Sequence, residues 1–215
     1  MTRPDTDTLI ETLTRELQPV GRLRAPAVRA AMWLGVVGGL GTLMAIFADT
    51  SALARRMAIA PDMWVSVVGS GLTAITACIA AFQLSLPDRN GRWALLPVPA
   101  ALLWIVASGA GCLRTLAAGE NGAIRHSLEC LVFLVLVSAP LSAILIVMLR
   151  RGYALRPGLV AVMGGLAAAA AAALLLNFFH PFDAVATDLL VHTLAVGLIL
   201  GINWAFGGRI LNARR

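Results

Sequence analysis

The chain has 215 residues, of which 59% are hydrophobic and 13% are charged, and its formal net charge at pH 7 is +6. Soluble domains have about 25% charged residues, so this composition excludes an ordinary soluble globular protein. Apolar runs of about 20 residues place the chain in a lipid bilayer, where spanning segments must be helices or closed barrels. Continuous runs such as CLVFLVLVSAPLSAILIVML (130–149) exclude the alternating strands of a barrel, so the predicted fold is an all-α membrane bundle.

The first predicted element is a short amphipathic helix within DTDTLIETLTREL, residues 5–17. Its apolar residues fall within a stripe of about 100°, namely Leu9, Ile10, Leu13 and Leu17. Thr8-Leu9-Ile10-Glu11 fits the capping box S/T-x-x-E, and Pro19 is predicted to end the helix. A helix this short is marginal alone, so its apolar stripe needs a partner.

The charges of this segment bear on what that partner is. Helices that lie on a membrane surface usually carry Lys or Arg on their polar side. Here the acids Asp5, Asp7, Glu11 and Glu16 predominate, which disfavours the anionic inner leaflet. A second protein with an apolar groove and a basic rim would suit the helix, and docking on the protein's own loops would also cover the stripe.

Six spans are predicted, at about residues 30–48, 61–85, 93–111, 128–149, 158–179 and 189–207. The predicted organisation is a cytoplasmic segment (1–28), a transmembrane domain (29–208) and a cytoplasmic tail (209–215). Short connections predict an up-and-down bundle of three hairpins. Small-residue pairs at Gly35/Gly39, Ser66/Ser70 and Gly197/Gly201 predict close helix packing within the chain.

Arginine predicts the orientation, because all 17 basic residues are Arg. With the N-terminus inside, 13 of them lie on the cytoplasmic side and 4 outside, so the positive-inside rule places both termini in the cytoplasm. Four tryptophans near span ends are predicted as interfacial anchors, Trp33, Trp64, Trp93 and Trp204. Trp104 lies mid-span and is predicted to pack inside the bundle.

The predicted outer end gathers residues that could sense a signal, Cys112, Cys130, His180, Asp183 and His192. Thiols in an oxidising compartment can form disulfides, and thiolate with imidazole can bind soft metals. Their spacing matches no known metal site, so the simpler interpretation is that they are ordinary residues at the headgroup level. Cys78 lies within a span and is predicted to be an inert packing residue.

Catalytic motifs such as HExxH, GxSxG and the P-loop are not found, so no enzyme activity and no cofactor are predicted. The predicted spans contain almost no charged residues, which disfavours a transporter or channel, since those place ionisable groups near the midplane. A small transporter or channel and a membrane scaffold protein remain the alternatives to a regulator. The sequence predicts no particular oligomeric state.

Three segments together with the six spans carry a resemblance, TDTLIETLTRELQPVGRLRAP, MLRRGYALRPGL and HPFDAVATDLLVH…GGRIL. They are similar to the NrsF-like family of multispan anti-sigma factors, negative regulators of sigma F. The resemblance covers essentially the whole chain. It implies a bacterial inner-membrane protein that holds an extracytoplasmic-function sigma factor away from RNA polymerase and makes no direct contact with nucleic acid.

The same resemblance implies which residues bind and which sense. The stripe Leu9, Ile10, Leu13 and Leu17 would anchor the sigma factor, and Glu11 and Glu16 would face its basic surface. An envelope, redox or metal stress would release it. Family members pair two outer cysteines, of which Cys130 matches the first, but Pro181 stands at the second. Thiol sensing would therefore need Cys112 as the partner, or another signal would act through His180, Asp183 and His192.

Overall fold

The computed structural model describes residues 6–15, 23–47, 51, 54, 58, 61–117, 124–179 and 186–212. Its helices are α1 (Thr6–Arg15), α2 (Pro26–Ala45), α3 (Pro61–Leu84), α4 (Val98–Ala117), α5 (Ile124–Leu149), α6 (Pro157–Phe179) and α7 (Ala186–Ile202). A 3₁₀ helix, Gly91–Leu95, precedes α4. After α7 the chain continues through a π turn, Asn203–Gly207, into α8, Gly208–Asn212. The described residues contain no strand.

Six segments of these helices are long and apolar enough to cross a membrane, which confirms the predicted all-α, six-span fold. The first begins at Pro26, four residues before the predicted start at residue 30. Proline is favourable at the first position of a helix, where its missing N–H would have no intrahelical acceptor anyway. The earlier start brings Arg29 into the first turns of α2.

Helices α3 and α6 form the centre of the bundle. In the most apolar stretch of each span, 61% of the residues of α3 and 78% of those of α6 are buried, against 17–33% in the other four spans. The alanine run from Ala167 to Ala173 explains the position of α6, because small side chains let neighbouring helices approach closely. All seven of these alanines are buried, so the tract is the core of the bundle.

The helix pairing differs in part from three sequential hairpins. Helix α3 packs most extensively on α6 and then on α4, and α5 packs on α6 and α7. Helix α4 lies against α3 and α7, so in the described residues the predicted middle hairpin of α4 with α5 is not a packed pair. The α4–α5 connection is the longest of those predicted, so it does not force the two helices together.

Small residues lie at the closest contacts between helices, but of the three predicted pairs only Ser66/Ser70 is buried. Ser66 and Ser70 are buried on α3, as predicted. A Cβ added at Gly69 would lie 2.8 Å from the backbone of Trp104, which makes this the tightest α3–α4 approach. The glycine pairs are different, since no described atom lies within 4 Å of a Cβ at Gly35, Gly39, Gly197 or Gly201. For these the predicted packing role is wrong.

The tryptophans divide in the same way. Trp64 and Trp204 are 50% and 65% exposed, consistent with interfacial positions. Two clusters of buried apolar residues form the core, one containing Trp33 and Phe82 and the other containing Cys130 and Leu134. Trp104 packs against both, as predicted. Trp33 is fully buried, so its predicted role as a lipid-facing anchor is wrong. Its position one turn after Arg29 turns it inward toward α5.

Candidate functional site

Helix α1 presents the predicted apolar stripe to its surroundings. All ten of its residues are exposed, with Leu9, Ile10 and Leu13 at 49%, 55% and 56%. Their spacing, i, i+1 and i+4, places the three side chains on one side of the helix. A helix docked on the protein's own loops would have buried this stripe. The described part of the chain therefore leaves Leu9, Ile10 and Leu13 accessible, while Glu16 and Leu17 lie outside the described residues.

The polar side of α1 holds its own hydrogen bonds. The Arg15 guanidinium donates from Nη2 to Glu11 Oε1 at 2.6 Å, an i,i+4 ion pair. The hydroxyls of Thr12 and Thr14 donate to carbonyls one turn back, at 2.8 and 2.6 Å. An exposed pair of this kind contributes about 0.3–0.5 kcal/mol, so α1 is only weakly stabilised by its own contacts.

The predicted capping box is wrong. Helix α1 begins at Thr6, so Thr8 lies inside the helix and cannot cap it. Glu11 accepts from Arg15 and not from a backbone N–H at the helix start. The side-chain carboxylate of Asp7 lies in the first turn of α1, where its negative charge interacts favourably with the helix dipole.

At the end of the bundle opposite the start of α2, Cys130 is buried between three helices. It is 2% exposed and packs with Leu134 of α5, Ala172 and Leu176 of α6, and Ala195 of α7. Glu129, the preceding residue, is exposed. Cys130 is thus positioned where a change in the packing of α5, α6 and α7 would alter its exposure.

The remaining sensing candidates are described less completely. The backbone of Cys112 lies in α4 and that of His192 in α7, but their side chains are outside the description, as are His180 and Asp183 altogether. Among the described side chains, no group of three or more His, Cys, Asp or Glu could hold a metal ion. Cys78 is fully buried in the core, which agrees with its predicted packing role.

A buried arginine is the feature that the sequence did not predict. Arg29 is 5% exposed, and its guanidinium carbon lies 4.6 Å from the centre of the Phe82 ring. Its Nη2 donates to the carbonyl of Met148, near the C-terminal end of α5. Pro26 is the sequence feature that could have predicted this burial, because a helix that starts at Pro26 places Arg29 in its first packed turns.

The NrsF model, described as negative regulator of sigma F, matches residues 13–212. The chain belongs to the NrsF family. Neither the curated proteins nor the solved structures gave a match.

The NrsF match covers most of the chain and includes all six candidate spans. It begins at Leu13, so it contains Leu13, Glu16 and Leu17 and leaves Leu9 and Ile10 before it. The family name implies negative regulation of a sigma factor. Six candidate spans indicate a multi-pass membrane protein.

Proposed function

We propose that this NrsF-family chain is an anti-sigma factor that holds an extracytoplasmic-function sigma factor at the bacterial inner membrane. The sigma factor binds α1 on the cytoplasmic side and is thereby kept away from RNA polymerase. An envelope, redox or metal stress signal releases it. The chain has no catalytic activity of its own and makes no direct contact with nucleic acid.

The exposed stripe of α1 carries this proposal. Leu9, Ile10 and Leu13 are each about half exposed on a helix that is too short to be stable alone. An amphipathic helix of this kind is stabilised when its apolar side enters a groove on a partner. Asp7 and Glu11 would then lie at the rim of the groove, where acidic side chains favour a basic partner and increase its association rate.

The distribution of arginines supports a cytoplasmic α1. The described arginines concentrate at one end, at Arg24, Arg29, Arg89, Arg92, Arg150, Arg151, Arg156 and Arg209. Basic residues accumulate on the cytoplasmic side of membrane proteins. Helix α1 precedes α2, which starts at this end, so both termini are assigned to the cytoplasm.

Release is proposed to follow a shift between two conformations of the bundle. A signal at the outer end need only favour a state with lower affinity for the sigma factor. A tenfold loss of affinity corresponds to about 1.4 kcal/mol of coupling. The packing of Cys130 against residues of α5, α6 and α7 supports a role for it in this shift.

The proposal is tested by purifying three forms of the protein in mild detergent from unstressed cells, followed by mass spectrometry of co-eluting proteins. The forms are the full chain, a chain lacking residues 1–20, and Leu13→Asp. We expect a sigma factor with the full chain alone, because an aspartate in the middle of the stripe would have to be desolvated on binding.

Thr8→Asp is the matched control. It adds the same charge to the same helix on the side opposite the stripe, so capture should persist. Equal capture by Leu13→Asp and the full chain would show that the stripe is not the binding surface. If no sigma factor co-purified with any form, the anti-sigma function would be rejected for this chain, and flux assays would then test the transporter alternative.

A further inference from the structure

Four arginines lie at the end of the bundle where α2 begins, and we call them the arginine cluster: Arg29, which is buried, Arg150, which is half-buried, and Arg151 and Arg156, which are exposed. Three packing contacts connect the segments that carry these arginines to α3 and to the 3₁₀ helix that follows it. Arg29 stacks on Phe82, a Cβ at Gly152 would lie 2.7 Å from the Ser85 carbonyl oxygen, and the Arg156 guanidinium covers Gly91.

Among the described residues, none of the four arginines forms an ion pair with an acid. Arg150 and Arg151 directly follow the end of α5, the helix whose Met148 carbonyl accepts a hydrogen bond from Arg29. Outside α1, the acid described at this end is Asp88, whose side chain is 71% exposed and lies 3.7 Å from Arg89. Buried charges in proteins are normally paired, because removing a charge from water is costly.

Two buried donor atoms of the cluster have no acceptor among the described residues. They are Nη1 of Arg29 and Nε of Arg150. The bond from Arg29 Nη2 to Met148 accounts for one side of that guanidinium and helps to satisfy the end of α5. Its Nη1 donates to no acceptor among the described residues, although the side chain is only 5% exposed. A buried donor of this kind needs an acceptor, such as an ordered water or an anion.

We propose that the arginine cluster binds the phosphate group of an anionic phospholipid headgroup. Guanidinium groups match the oxygens of phosphate in geometry and charge. Basic sites between transmembrane helices on the cytoplasmic side are suited to such headgroups. Arg29 lies in the first turns of a candidate span, which is the headgroup level.

The surroundings favour a lipid over free phosphate. Val28 and Met32, on the same helix as Arg29, are each 48% exposed, and Tyr153 and Leu155 in the α5–α6 connection are 73% and 65% exposed. These apolar surfaces would contact acyl chains attached to the bound phosphate. The bound headgroup would link α2 to the connection between α5 and α6 and so stabilise the bundle.

The test uses the purified full chain in neutral detergent with added phosphatidylglycerol, phosphatidylcholine or inorganic phosphate. Native mass spectrometry counts bound lipid, and a thiol-reactive dye follows unfolding through Cys78 and Cys130, which are both buried. We expect phosphatidylglycerol to be retained and to raise Tm by about 2–4 °C, with no such effect of phosphatidylcholine.

Arg150→Gln should lose most of this retention and of the rise in Tm, whereas Arg209→Gln, an exposed arginine at the same end, should keep both. Arg150 is chosen because replacing Arg29 could unfold the bundle. Equal effects of the two lipids, or an unchanged response of Arg150→Gln, would overturn the proposal. Displacement of the lipid by inorganic phosphate would assign the site to free phosphate.

Discussion

Trp33 of α2 donates a hydrogen bond from its indole Nε1 to the carbonyl oxygen of Leu141 in α5, at 3.1 Å. The indole is fully buried, and its acceptor follows directly after Pro140, which lies inside α5. Proline removes one backbone donor from a helix and bends it. A second contact reaches the same place, since Asn203 in the π turn lies 3.4 Å from Ser142 Oγ. The turn of α5 that follows Pro140 is therefore where α2 and the π turn converge.

We predict that Trp33→Phe lowers the stability of the bundle by about 1–2 kcal/mol, through the lost hydrogen bond and a small cavity. The measurement is thermal unfolding in detergent, followed by the reaction of a thiol-reactive dye with buried Cys78. Trp204→Phe is the control, because that indole is 65% exposed and should lower Tm little. Equal losses for the two variants would mean that the buried contact contributes nothing specific.

Gly69→Ala is predicted to destabilise the bundle by about 1–3 kcal/mol, because overpacked contacts force the backbone to move. The new Cβ would lie 2.8 Å from backbone atoms of Trp104, which cannot move without shifting α4. Gly35→Ala is the matched control on α2, where no described atom lies within 4 Å of the added methyl group. Since alanine is favoured over glycine in helices by about 1 kcal/mol, that variant should be neutral or more stable. The same dye assay compares them, and a loss of stability in Gly35→Ala matching that of Gly69→Ala would contradict the α3–α4 contact.

Length and hydropathy were enough to predict the six spans, because crossing a bilayer imposes a minimum length on each helix. They could not predict which side of each helix faces lipid, since lipid and core are both apolar. Gly35 and Gly39 therefore looked like packing residues, and Trp33 looked like an anchor, although α2 faces Trp33 inward and the two glycines outward. Arg29 was missed for a different reason, since the predicted span began four residues late.

The candidate site shows the same division. Periodicity predicted the stripe of α1, and the structure shows Leu9, Ile10 and Leu13 exposed together. Charge and spacing gave no indication that Cys130 is buried, because its contacts come from α6 and α7, more than 40 residues away in sequence. Such long-range contacts depend on helix order, which the sequence pattern of a single span does not contain.

The assignment of the arginine-rich end to the cytoplasm predicts the behaviour of reporter fusions. Alkaline phosphatase is active when exported, so we expect activity when it is fused after Ala117, at the end of α4, and none after Gly152, in the α5–α6 connection. Fluorescent protein fusions at the same positions should give the opposite pattern. The physical reason is the cost of moving the arginines of the α5–α6 connection across the membrane. The reverse pattern would place α1 outside the cytoplasm and remove its access to a sigma factor.

Cys130 is predicted to react slowly with a maleimide in the resting protein, because it is 2% exposed between α5, α6 and α7. The measurement uses a Cys78→Ala, Cys112→Ala background, with labelling compared before and after denaturation. Glu129→Cys, Cys130→Ala in the same background is the control, since residue 129 is exposed and a thiol there should react at once. If release of the partner involves repacking of these helices, the stress that releases it should accelerate labelling of Cys130 by at least about tenfold, matching a coupling of about 1.4 kcal/mol. Unchanged labelling during release would mean that Cys130 takes no part in the conformational change. The remaining candidates would then be Cys112 in α4 and His192 in α7.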